Sequence, residues 1–203
     1  MEKLFLATSN PGKLAELRLL LGDCGCELVS PEELGITLSG RETGGSYLAN
    51  ATMKAREGAE ASRLLTFAED SGLEIDALDG EPGHLSARYL GEDTGYEERF
   101  RMILARLNET VREQRTARFR CVAAIARPEG HDVRSAEGIC EGLITEPRGS
   151  AGFGYDPMFY IPDLEKTMAE LTMEEKNRIS HRAAAARAAI PIIRELMAVG
   201  RVA

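Results

Sequence analysis

The sequence predicts an α/β fold. Three observations carry that expectation: a short, almost unbroken apolar run at residues 3–8, a helix signal that follows it at once, and two later strand-like runs at 117–126 and 132–144. A strand feeding straight into a helix is how layered α/β architectures begin.

Lys3-Leu4-Phe5-Leu6-Ala7-Thr8 reads as a buried strand. Asn10 offers an N-cap, Pro11 suits the first helical position, and Leu14, Leu17 and Leu21 repeat at helical spacing up to a stop at Gly22. Ser30-Pro31-Glu32-Glu33 opens another short helix. After Gly44-Gly45 a longer helix is predicted from Ser46 to Ser62, with Leu48, Ala51, Ala55 and Ala59 on one face. Leu64 to Ala68 reads as a strand that runs into Glu69-Asp70-Ser71-Gly72, and Leu73 to Ala77 alternates with period two as the next strand. Residues 80–95, rich in glycine, are read as loop, and Tyr96 to Leu107 as helix. The runs 117–126 and 132–144 are predicted to pair across the turn Pro128-Glu129-Gly130. Beyond the Gly-rich stretch Arg148–Asp156, Thr172-Met173-Glu174-Glu175 has the capping-box pattern. Ser180 is placed to restart a helix at His181 and Arg182.

Composition narrows the function. Hydrophobic residues make up 43% of the 203, enough for a real core, with charged residues at 29%. A net charge of −8 argues against holding long nucleic acid, whose phosphates demand a basic surface, and favours a small-molecule partner. Cys24, Cys26, Cys121 and Cys140 have no zinc spacing and read as reduced thiols in the cytosol. No run is long enough for a signal peptide core or a membrane span. A single domain over residues 1–203 is expected.

Four constellations could carry chemistry. Thr8-Ser9-Asn10-Pro11-Gly12-Lys13 stands at a strand-to-helix junction, where free amides and a partial positive charge favour anions. It is not a Walker A loop, and it fits an ordinary capped helix equally well. Glu69-Asp70 sets two carboxylates at a strand end. Hard oxygen ligands of that kind suit magnesium, and a carboxylate beside the metal can take a proton from water. Alone, the pair also fits a solvated turn; Glu42 in the Arg41-Glu42-Thr43 loop is a further carboxylate candidate. Gly152-Phe153-Gly154-Tyr155-Asp156 lets backbone and ring approach a planar ligand, or makes a tight turn around a core Phe. Lys176 with Ser180-His181-Arg182 could serve one site if a helix restarts at Ser180, or lie on a solvated helix.

Together and in this order, these blocks resemble the inosine triphosphate pyrophosphatase (Ham1-like) family. The matching residues are Ala7 to Lys13, Asn50-Ala51 with Lys54-Ala55, Ala68 to Leu73, Pro82-Gly83 and Ser86 to Tyr89. They continue with Gly152 to Pro157, then Glu170-Leu171-Thr172 and Glu175-Lys176-Asn177 to Ser180-His181-Arg182. The resemblance implies an α/β fold with a long mixed β-sheet, flanking helices and two lobes around a central cleft, usually as a homodimer. It implies magnesium-dependent hydrolysis of inosine, deoxyinosine and xanthosine triphosphates to monophosphate and pyrophosphate, cleansing the cytoplasmic nucleotide pool.

Carried over by motif, Thr8, Ser9, Asn10, Pro11, Gly12 and Lys13 bind the triphosphate. Asp70 is general base and metal ligand, with Glu42 and Glu69 as further metal-side carboxylates. Lys54, Ser71 and Arg88 assist around the phosphates, and Phe153, Gly154, Tyr155, Asp156, Lys176, His181 and Arg182 hold the nucleoside. Glu69 stands where many members have Asp, Ala183 follows His181-Arg182 where Gly is frequent, and His84-Leu85 vary the segment before Ser86. Two rivals are a Maf-like pyrophosphatase, which the blocks around Asp156 and Arg182 oppose, and a silent nucleotide-binding protein, which the retained Asp70 opposes.

Overall fold

The computed structural model describes residues 2–40, 42–129 and 132–199. Among these are seven strands, β1 (Lys3–Leu6), β2 (Glu27–Val29), β3 (Leu65–Ile75), β4 (Thr116–Ala126), β5 (Val133–Ile144), β6 (Phe159–Ile161) and β7 (Lys166–Thr167). Six α-helices accompany them: α1 (Pro11–Leu20), α2 (Pro31–Leu34), α3 (Tyr47–Ser62), α4 (Tyr96–Arg106), α5 (Met173–Ile179) and α6 (His181–Val199). The strands hydrogen-bond in the order β2-β1-β3-β4-β5-β6-β7. β1 is parallel to β2 and β3, whereas β5–β6 and β6–β7 are antiparallel, so the sheet is mixed. No helix among the described residues is long and apolar enough to cross a membrane.

Contacts divide the chain into two compact units. The first comprises residues 1–70, 121–138 and 181–203. Strand periodicity gives it two apolar faces. Leu4, Leu6, Phe67, Cys121, Ala123 and Ile125 pack with Leu17 of α1, with Leu21 just past its end, and with Ala185, Ala189 and Ile193 from α6. Phe5, Ala7, Ala68, Ala124 and Ala126 pack with Ala51, Ala55 and Ala59 from α3. The alanines on α3 and α6 let helix backbones lie close to the sheet. At Gly138 on β5 the approach is closest: a Cβ there would stand 2.2 Å from the His181 carbonyl oxygen and 2.3 Å from the Ala185 nitrogen. That glycine seats the first turn of α6.

The second unit comprises residues 71–120 and 139–180. Its core joins Leu73 and Ile75 of β3, Phe100 and Ile103 of α4, Phe119 of β4 and Phe159 of β6. The Phe119 and Phe159 ring centroids are 4.3 Å apart.

Several expectations need correction. The two runs read as separate strands, Leu64–Ala68 and Leu73–Ala77, are one eleven-residue strand, β3. The polar residues between them continue the pleat, since they find partners on both faces. Leu48 does not share the buried face of α3 but is 49% exposed, whereas Tyr47 and Gly58 do lie on it. β1 ends two residues before Thr8; the stop expected at Gly22 is observed, α1 ending at Leu20 with Leu21 as its cap and Gly22 opening a short 3-10 turn. Residues 83–88, expected as loop, form a 3-10 turn. Gly130 of the 128–130 turn and Arg41 of the Glu42 loop lie outside the described residues.

Candidate active site

Because side chains alternate along a strand, Glu69 and Asp70 leave β3 on opposite faces. Glu69 follows Phe67 toward α1 and α6, and Asp70 follows Ala68 toward α3. The adjacent carboxylates therefore make their direct contacts with different cations, Asp70 with Lys54 and Glu69 with Lys13 and Arg182, all within the first unit.

On the α3 face, Asp70 is 3% exposed. Its Oδ1 lies 3.1 Å from Lys54 Nζ, and its Oδ2 accepts a hydrogen bond from Asn50 Nδ2 at 3.0 Å. Lys54 Nζ also donates to Glu42 Oε1 at 2.8 Å. Asn50 and Lys54 are one turn apart on α3, on the same side of the helix. Burial pushes the Asp70 carboxyl up, Lys54 pulls it down and Glu42 pushes it up again, leaving it above the ordinary carboxylate value. Burial opposes the charge on Lys54, but Asp70, Glu69 and Glu42 outweigh it and raise the ammonium's pKa.

On the other face, Glu69 Oε1 lies 3.0 Å from Lys13 Nζ and 3.1 Å from Arg182 Nε. Its Oε2 faces the Cys121 thiol at 3.5 Å. Burial alone would raise its pKa, yet Arg182, Lys13 and Lys54 hold the carboxyl well below the usual range. Arg182 continues the network, Nη1 donating to Glu16 Oε2 at 2.6 Å. Lys13 stands in the first turn of α1. Asn10 caps that helix by accepting the Lys13 amide at 3.1 Å, and Thr8 Oγ1 accepts the Asn10 amide at 3.2 Å. Ser9, Asn10 and Pro11 are exposed, and Thr8, Ser9 and Pro11 line a cavity of about 300 Å³. His181 is buried in the first turn of α6 beside Arg182.

The second unit builds its own cluster. Gly152, at φ +74°, turns the chain so that Asp156 Oδ2 accepts the Phe153 amide at 2.9 Å. The same oxygen meets Lys176 Nζ at 2.6 Å, and that ammonium lies 5.0 Å from the centre of the Phe153 ring. Asp156 and Lys176 are both buried. The capping box of α5, Thr172 with Glu175, fixes the helix that carries Lys176. Tyr155 is buried and donates to the Ser86 carbonyl at 3.1 Å, while Gly154 is half-buried. Ser71 on β3 and Arg88, ending the 3-10 turn, are half-buried.

Comparison with known proteins gives the chain that carries these clusters a family. The Ham1 family profile matches residues 4–192. This chain belongs to the Ham1 family. Among curated relatives, the dITP/XTP pyrophosphatase of Bacillus subtilis is 47% identical over 184 residues, covering 90% of this chain and 92% of its own length. That of Escherichia coli O157:H7 is 44% identical over 196 residues, covering 96% and 99%. A Ham1 protein structure from Coxiella burnetii superposes with a TM-score of 0.85 at 38% identity, covering 96% of this chain and all of that one. The Staphylococcus aureus Ham1 structure gives 0.80 at 35% identity, with 98% and 100% covered.

Within this Ham1 chain, the residues that motif reading left out of the site are Glu16 and Asn50. Glu16 is 1% exposed on α1, and Asn50 is fully buried on α3. A Glu three residues after Lys13, next in sequence to the apolar Leu17, is a weak signal. Asn50 carries none beyond its place in the family block.

For a metal, the donor set is informative. Glu42 Oε1 and Asp70 Oδ1 already converge on one cationic atom, Lys54 Nζ. Hard carboxylate oxygens so placed fit magnesium, which takes one or two carboxylates and completes its shell with water and phosphate. The described residues hold no cage of three or more His, Cys, Asp or Glu side chains.

Proposed function

We propose that this protein hydrolyses inosine, deoxyinosine and xanthosine triphosphates to the monophosphate and pyrophosphate, removing these bases from the nucleotide pool. The observation that carries the reading is Asp70: a buried carboxylate with each oxygen held from α3, next to Glu42 and Lys54, in a Ham1 chain. The dITP/XTP pyrophosphatases at 44–47% identity support the same chemistry.

In this reading Asp70 and Glu42 hold magnesium, and Glu69, already engaged by Lys13 and Arg182, sets those two cations rather than the metal. Magnesium supplies divalent charge against the phosphates and the departing pyrophosphate. Thr8, Ser9, Asn10, Pro11 and Gly12 present the amide-rich start of α1 to the triphosphate, and Lys13 adds a full charge. Lys54 in the first unit, and Ser71 and Arg88 in the second, are the further candidates for the phosphates. Asp70 orients a water and takes its proton as the water attacks the α-phosphorus. Positioning and electrostatics supply most of the acceleration in such chemistry.

In the second unit, Phe153, Gly154, Tyr155, Asp156 and Lys176 are the candidates to receive the nucleoside; in the first, His181 and Arg182 are the candidates for base selection. The 6-oxo group of hypoxanthine and xanthine is an acceptor, whereas adenine offers a 6-amino donor. A guanidinium carries only donors, five on one fork, so a single Arg can serve carboxylates and a base edge together.

The working protein is taken as a cytoplasmic homodimer; four free, buried cysteines suit a reducing compartment. The deciding experiment incubates the protein and magnesium with inosine, xanthosine, adenosine and thymidine triphosphates and measures pyrophosphate. Release from the first two, well above the others, supports the reading. Equal release from all four, or none, overturns it.

A further inference from the structure

We propose that Asn50 is a positioning residue that sets the rotation of the Asp70 carboxylate and ties it to the backbone turn following Glu42. This rests on Asp70 being the general base. Asn50 is fully buried, and its amide is used at both ends. Nδ2 donates to Asp70 Oδ2 at 3.0 Å, and Oδ1 accepts the Gly44 amide at 2.8 Å. The assignment of the two amide ends follows from chemistry, because a backbone N–H only donates and a carboxylate only accepts.

Two further observations point the same way. Lys54, one turn later on α3, takes the other Asp70 oxygen, so both oxygens are addressed from one rigid helix. With Asn50 and Lys54 both in place, the carboxylate cannot swing about its Cβ–Cγ bond without losing a donor. Gly44, for its part, is packed so tightly on this link that a Cβ would stand 2.8 Å from Asn50 Oδ1 and 2.7 Å from the Ala49 Cβ. The turn two residues after Glu42 is therefore seated directly on Asn50, and Glu42 and Asp70 meet at Lys54. A neutral amide is the side chain this place demands: donor at one end, acceptor at the other, and no added charge among Glu42, Lys54 and Asp70.

Asn50 acts through Asp70, so its loss should lower turnover while nucleotide binding survives. Displacing a catalytic group by about 1 Å costs on the order of 10²-fold in rate. The test is a double-mutant cycle of Asn50→Leu, which keeps the branched shape and removes both hydrogen bonds, with Asp70→Asn. Expected are a fall in kcat of about 10²-fold for Asn50→Leu with KM little changed, and no further fall when it is added to Asp70→Asn. If Asn50→Leu lowers turnover by the same factor in both backgrounds, Asn50 is merely structural and the proposal fails, while Asp70 keeps its role. If Asp70→Asn alone turns over normally, the reading of Asp70 fails first, and this inference with it. Should Asn50→Leu not fold, Asn50→Ser, smaller and too short to reach Asp70, must give the same pattern in the same cycle. Amide exchange supplies a readout independent of activity: Gly44 should be protected in wild type and lose that protection in the Asn50 variant. Unchanged Gly44 protection would overturn the link to the Glu42 turn.

Discussion

Arg182 Nη1 lies 2.6 Å from Glu16 Oε2, and both side chains are only 2% exposed. The pair joins α6 to α1, the helix whose first turn carries Lys13, and Glu69 closes the network on both cations. Burial opposes the guanidinium charge, but Glu69 and Glu16 more than compensate and keep it protonated. Breaking such a buried pair from one side leaves charges stranded, at a cost of about 3–5 kcal/mol.

Arg182→Ala is therefore expected to lose stability by about that amount in a denaturant melt. At a temperature where the variant remains folded, kcat/KM should fall more for inosine triphosphate than for adenosine triphosphate. An equal proportional fall for both nucleotides would leave Arg182 a role in the fold or the phosphates and place base selection elsewhere.

Asp70→Asn preserves size and removes both the charge and the ability to accept a proton. Turnover should drop by ~10²–10⁴-fold, the usual cost of a lost general base, with weaker metal binding adding to it. The melting temperature should change little, since Lys54 keeps Glu42 as its counter-ion and an Asn oxygen can still accept the Asn50 amide. Near-normal kcat at saturating magnesium would remove Asp70 from the chemistry.

The bond cut can be read directly from isotope. With a purine triphosphate in ¹⁸O-labelled water, attack at the α-phosphorus puts the label in the monophosphate and none in pyrophosphate. Label in orthophosphate, with diphosphate as the partner product, means γ attack and a different enzyme. Chelating magnesium should stop the reaction in either case.

A pH dependence of stability follows from α5. The Thr172 amide donates to Glu175 Oε2 at 2.7 Å and Lys166 Nζ to Oε1 at 2.9 Å, which hold the Glu175 carboxyl at about 2. A depressed folded-state pKa contributes stability in full above the unfolded value of roughly 4.3 and loses it as pH falls through the folded value. The difference in melting temperature between wild type and Glu175→Gln should thus shrink as pH is lowered from about 5 toward 2. A difference constant over that window would show that the ionised carboxylate contributes nothing to the cap.

Local chemistry made much of this readable from residues alone. Asn10 and Pro11 announce α1, and Thr172 with Glu175 announces α5, because a cap is decided within four residues. The continuity of β3 was not readable, since Glu69-Asp70-Ser71-Gly72 looks like a turn until its partners on both sides are known. Nor was the Glu16–Arg182 contact, whose members are 166 residues apart in the chain. Asn50 belonged to a family block, yet what it touches depends on how α3 lies over β3.

The opposite facing of Glu69 and Asp70 also bears on how such a gene can change. Inserting or deleting one codon within the first half of β3 would exchange the two faces downstream, presenting Asp70 to Lys13 and Arg182 and Glu69 to Asn50 and Lys54. Both carboxylates would survive in the translated product, and a composition or motif count would register nothing lost. The stretch from Leu65 to Asp70 is thus one in which length itself is the inherited trait, and lineages should accommodate length variation in the surface loops instead.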